Sequence, residues 1–224
     1  MRLAAYPPGK GDITNMIRSY IHRCQKDGVK IVMNCEVTLE LIKEEKPDSV
    51  IIATGSKTLI LPIEGIDNPA IIHGSDLLDG KRAAGKKVLV VGGGMVGCET
   101  AAFLGEQEHD VTVIEFRDTV GADVIHEHRV YLMKDFEDYG IKEITGAKVC
   151  KFYEDGVEYE TADGVRHESR GYDSVILSMG FRNYNPLEEK IKDLVPETHV
   201  IGDAIRARRA LDATKEAYEV ASRI

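Results

Sequence analysis

Gly92, Gly94 and Gly97 stand in the spacing G-x-G-x-x-G, with Met95 and Val96 between the last two. Residues without side chains at these intervals let a chain turn sharply, let a large ligand approach the backbone, and let a helix pack close to a strand. The chemistry is anion binding. A helix starting at this turn offers N–H groups and the positive end of its dipole to phosphate. A glycine pattern alone serves a tight structural turn equally well, so the flanking residues decide. Lys86 and Lys87 lead into Val88, Leu89, Val90 and Val91, an unbroken apolar run of the kind found in a strand covered on both faces. Glu99, Ala101, Ala102, Phe103 and Leu104 continue as a helix.

A second strand, Val111 to Glu115 (VTVIE), follows a turn at Glu108, His109 and Asp110. Glu115 lies eighteen residues past Gly97, where a carboxylate at a strand end can accept hydrogen bonds from ribose hydroxyls. Strand, glycine turn, helix, strand and acid together point to a dinucleotide. A carboxylate accepts from a free 2′-hydroxyl and repels a 2′-phosphate, so NAD(H) is expected over NADP(H). Arg117 weakens that preference without reversing it.

Composition narrows the setting. The chain has 224 residues, 43% hydrophobic and 30% charged, enough for a real core in one or two domains. A net charge of −9 argues against a nucleic-acid or anionic-membrane surface. Cys24, Cys35, Cys98 and Cys150 are too scattered for C-x-x-C pairing, and no signal peptide or long apolar span occurs, so a reducing cytoplasm is expected. Cys98 reads as a small packing residue.

The positioning elements follow from pattern. Ile13, Met16, Ile17, Tyr20, Ile21 and Cys24 recur at helical spacing after the rigid Pro7-Pro8-Gly9 turn, which predicts a helix with one buried face, closed by Gly28. Residues 29–33 read as a strand, 38–45 as a short charged helix, and 49–53 (SVIIA) as a buried strand running into Thr54-Gly55-Ser56. Residues 75–78 make a short helix and 123–139 a longer one. His126 and His128, two apart, do not share a helix face and make a poor metal pair. Residues 149–153, 157–161 and 165–167 alternate around Asp155-Gly156 and Asp163-Gly164, predicting a three-stranded antiparallel meander. Residues 172–178 repeat the strand-then-glycine pattern, ending at Gly180. A short strand, HVIGD, precedes a helix from about Leu211 whose inner face is Ala213, Ala217, Val220 and Ala221.

Taken together, ATGS, GGGMVGCE, the meander, SMG and HVIGD resemble the flavoproteins with two dinucleotide-binding domains. The opening YPPGKGDI further resembles the C-terminal region of the old yellow enzyme-like reductases, the group of 2,4-dienoyl-CoA reductase, 2-enoate reductase and trimethylamine dehydrogenase. The resemblance implies an α/β fold: a three-layer, Rossmann-like NAD domain (81–180) inserted in an FAD domain, whose parts are 1–80 and 181–224. It implies that Thr54 and Gly55 lie near the FAD, that Gly202 and Asp203 hold its sugar-phosphate part, and that Gly180 lines the far edge of the NAD site. Glu99 matches a helix glutamate near the nicotinamide; as a residue it reads equally as a surface charge. The family's first G-x-G-x-x-G has no counterpart here, so the expectation is a fragment with an incomplete FAD domain. Such a fragment is expected to be colourless and to self-associate through the truncated sheet. Its parent would pass hydride from NADH to FAD, and onward through an upstream iron–sulfur cluster and FMN barrel to an activated C=C bond. A structural ADP site of the trimethylamine dehydrogenase type and an NAD-sensing module are the alternatives.

Overall fold

The computed structural model describes residues 2–224. Two compact units emerge: the N-terminal stretch through Ile21 together with Ile60–Gly180, and His22–Leu59 with Phe181–Ile224.

The first unit is built on a five-stranded parallel sheet of β3 (Ile72–His73), β10 (Ser174–Leu177), β4 (Lys87–Val91), β5 (Asp110–Ile114) and β6 (Lys142–Ile144), in that spatial order. The glycine turn therefore leaves the central strand, as the unbroken apolar run predicts. Alternation of side chains across the pleat divides that run between two cores. Val88, Val90, Val111, Val113 and Ile176 pack with Cys98, Ala101 and Leu104 of α4 (Met95–Glu106) and with Leu132 and Phe136 of α5 (His126–Asp138). Leu89, Val91, Ile114, Val175 and Leu177 face the other way, onto Phe152 and Val157. Those two belong to the antiparallel meander of β7 (Lys148–Tyr153), β8 (Gly156–Glu160) and β9 (Arg166–Ser169). Helices, parallel sheet and meander make the three layers expected. Residues 60–80 belong to this unit too: β3 pairs with β10, and Ile71, Ile72 and Leu77 enter its cores.

The second unit holds a two-stranded parallel sheet, β1 (Ser49–Ile52) with β12 (Glu197–Val200), and an antiparallel pair, β2 (Ser56–Thr58) with β11 (Phe181–Asn183). Ile42 of α2 (Leu39–Glu45) and Ile191 of α6 (Glu188–Ile191) cover Ile52. Thr38 caps α2 by accepting from the Leu41 N–H at 3.3 Å.

Four expectations fail. Residues 29–33 form no strand, because an apolar run becomes one only with a neighbour to bond; Val29, Ile31, Val32 and Met33 stay exposed. The helix α1 (Asp12–Lys26) forms, but buries no residue; Ile13, Ile17 and Cys24 are only half-covered. The last helix, α7 (Ala210–Ala221), likewise buries none, and Ala221 of its expected inner face is exposed. The fifth helix starts at His126, three residues later than the pattern suggests.

Candidate functional site

The strand ends of the first unit create the site. At the C-terminal end of the central strand, Gly92 has φ +104° and a Cβ there would strike the Ser178 carbonyl beyond β10. Gly97 has no room either: its Cβ would run into the Gly92 carbonyl oxygen, so α4 lies against the turn it leaves. Gly94 differs. The nearest atoms to a Cβ there are the Asp123 carboxylate oxygens, at 3.3 and 3.5 Å, so this face of the turn opens outward. That is the arrangement in which a diphosphate can reach the backbone.

Glu115 leaves β5 beside this turn. Its carboxylate accepts from the Gly93 N–H at 2.6 Å and from the Arg117 N–H at 2.9 Å. One carboxylate thus ties the glycine turn to the strand end where an adenosine ribose would sit. Gly94, at the N-cap of α4, has no side chain to cap it; Asp123 substitutes, accepting from the Met95 N–H at 2.9 Å. The Gly121 N–H donates to the Gly93 carbonyl at 2.7 Å and fastens the Asp123 loop to the turn. Gly180, φ +95°, stands in open space past β10. Cys98 is a packing residue, as its setting on the nucleotide helix suggested: its thiol donates to the Gly93 carbonyl at 3.2 Å, and burial pushes it up to about 12.

Glu99 is not a surface charge. It is 6% exposed, and its Oε1 is paired with the Lys10 Nζ and lies 3.2 Å from the His128 Nε2. Two partners from outside α4 therefore hold a buried carboxylate one turn beyond the glycine cradle. In the sequence Lys10 is one residue of YPPGKGDI and His128 half of a poor metal pair, and neither setting points to Glu99. No side-chain pattern could pair them with Glu99 across 89 and 29 residues. Among the described residues no cluster of His, Cys, Asp and Glu suits a metal ion.

The second unit assembles the other four candidates. The Thr54 hydroxyl donates to the Tyr184 carbonyl, whose own N–H donates to the Gly55 carbonyl at 2.9 Å. Asp203 accepts from the Ser56 hydroxyl at 3.2 Å and from the Arg208 N–H at 3.0 Å. The Gly202 N–H donates to Glu216 at 2.7 Å; that bond first, and then Arg208, hold the Glu216 carboxyl below its usual range. Arg208 and Glu216 carry no motif, and Ser56, although inside ATGS, gives no sign in the sequence of its bond to Asp203; each acts through a fold contact. The Gly202 N–H is thus committed to Glu216, while the Asp203 carboxylate keeps lone pairs beyond those that Ser56 and Arg208 use.

A parallel sheet whose strand order reverses beside a glycine turn, with an acid at the next strand end, defines a dinucleotide-binding oxidoreductase scaffold. Residues 11–201 match the sequence family described as pyridine nucleotide-disulphide oxidoreductase, and the chain belongs to that family, which binds FAD and a pyridine nucleotide. The chain is 30% identical to the bilirubin reductase of Mediterraneibacter gnavus, covering 99% of this chain and 34% of that protein. It is 31% identical to the NADH oxidase of Thermoanaerobacter brockii, covering 100% and 35%. The solved structure of a 2-naphthoyl-CoA reductase superposes with a TM-score of 0.92 at 31% identity, over 99% of this chain and 34% of that one. The chain spans about a third of the length of these relatives. The resemblance to the old yellow enzyme-like group and the α/β fold it implied are borne out. No helix among the described residues is long and apolar enough to cross a membrane.

Proposed function

We propose that this chain is the pyridine-nucleotide-binding part of an NADH-dependent flavin oxidoreductase that reduces an activated C=C bond. The observation that carries the nucleotide reading is the open face of Gly94 beside Glu115, at the end of the central strand. Gly92, Gly94, Met95, Val96 and Gly97 would hold the diphosphate, Glu115 the adenosine ribose, and Gly180 the far edge. Buried Glu99, oriented by Lys10 and His128, would bound the nicotinamide side. In the second unit, Thr54, Gly55, Gly202 and Asp203 would hold FAD, which when bound supplies the acceptor for hydride from NADH. The protein's own contribution is orientation: fixed backbone donors and a locked carboxylate hold the nucleotide in place, which is most of what transfer between two rings requires. The reductase and NADH oxidase relatives support an oxidoreductase role; the NADH preference rests on the Glu115 carboxylate. The upstream FMN and iron–sulfur cluster rest on the family resemblance.

Titration of the 224-residue chain with NADH and NADPH tests the reading. NADH is expected to bind more tightly, and Glu115→Ala to narrow the gap by about 1–3 kcal/mol, the scale of a charged hydrogen bond. Equal affinities in the unmodified chain would overturn the preference. The remainder of a parent chain is the expected partner of the second unit, with no nucleic acid or membrane. In its absence a homodimer through β1 and β12, each with a single neighbour among the described residues, would cover those edges. Light scattering is expected to return twice the chain mass; a monomer at micromolar concentration would refute self-association.

A further inference from the structure

The donor that a diphosphate needs is already taken. The Met95 N–H, first of α4, points at Asp123 Oδ1, 2.9 Å away, and Asp123 Oδ2 is the nearest atom to the open face of Gly94. The carboxylate therefore sits where the first phosphate would sit, on the same N–H, with the same sign of charge. It comes from 28 residues away and is held there by its backbone. Val120 and Val124, on either side, are buried, and the Gly121 N–H is bonded to the Gly93 carbonyl. The loop cannot withdraw without undoing those contacts. The Asp123 side chain itself is exposed, so rotation about its own bonds frees the donor. Even rotated out, the charge stays beside the cradle, where two phosphates would feel it.

We propose that Asp123 is a built-in competitor for the diphosphate of the nucleotide. It caps α4 in the free chain and must be displaced on binding, so it weakens diphosphate-bearing ligands selectively and speeds their release. This rests on the nucleotide site proposed above and adds to it a residue that sets affinity by ligand class.

The test uses three probes on the 224-residue chain: NADH, ADP and adenosine, titrated calorimetrically into the unmodified protein, Asp123→Asn and Asp123→Ser. Asparagine keeps an acceptor for the Met95 N–H and loses the charge; serine shortens the side chain as well. Both variants are expected to bind NADH and ADP about fivefold to thirtyfold more tightly, the range for removing one nearby like charge. Adenosine, without phosphate, is expected to bind all three proteins equally. NADH binding that is unchanged or weaker in both variants, with a lowered melting temperature, makes Asp123 a cap only and overturns the proposal while leaving the site reading intact. Tighter binding of adenosine to the same extent would also overturn it, since no phosphate is then involved. Loss of fold in both variants would show that the contact with Met95 is structural and refute the competitor role. If none of the probes binds any of the proteins, the nucleotide-site reading fails and the proposal with it.

Discussion

A buried carboxylate needs company, and Glu99 has it on two sides. Lys10 is 22% exposed at its side chain and Glu99 8%, so the pair is shielded enough for its loss to matter. Lys10→Met preserves length and apolar stem but leaves Glu99 with His128 alone. The expected cost is about 1–3 kcal/mol in urea denaturation, the penalty for stranding a buried charged group. Adding Glu99→Gln to Lys10→Met should return part of that loss, because the stranded charge is then gone. Strictly additive effects would show that the two side chains do not act as a pair. At this scale the sequence was readable only where chemistry is contiguous. Glu115 announced itself by its spacing from Gly97, whereas Glu99 looked like any helix glutamate. Asp123 looked like a helix start; it proves to cap a different helix from the one it precedes.

Two glycines of one motif carry separable duties in α4. Gly97 lets the helix lie against the turn, and Gly94 leaves a face open. Gly97→Ala must push α4 from β4, an overpacking expected to cost about 2–3 kcal/mol and to lower the denaturation midpoint. Gly94→Ala meets only the movable Asp123 carboxylate, so stability should change by less than about 0.5 kcal/mol while ADP affinity falls. A stability loss of the same size in both would mean that Gly94 is structural too. The sheet, α4, α5 and the meander were legible because each has a strong period and, for the meander, Asp-Gly turns between its strands. Residues 29–33 misled because β-type composition says nothing about whether a partner edge exists. The bare faces of α1 and α7 misled for the same reason: periodicity marks which side is apolar, not what covers it.

At the scale of the whole molecule the two units are unequally provisioned. Among the described residues, the first has buried clusters of sixteen and nine side chains, and the second has one of five. Calorimetry is expected to resolve two transitions, the second unit melting first, with NADH raising only the upper one. A single transition shifted as a whole by NADH would show that the units unfold together. The order in which the strands leave the ribosome adds a constraint. Ser49 of β1 pairs with Glu197 of β12, so β1 is synthesised long before its one neighbour among the described residues. At roughly 5–20 residues per second, translation makes it wait on the order of 7–30 s. The strands β4, β5, β6 and β10 all emerge within that interval and can close their sheet first. Through that interval the segment carries an unmated edge, Ile51 and Ile52 included, that only the arrival of β12 covers.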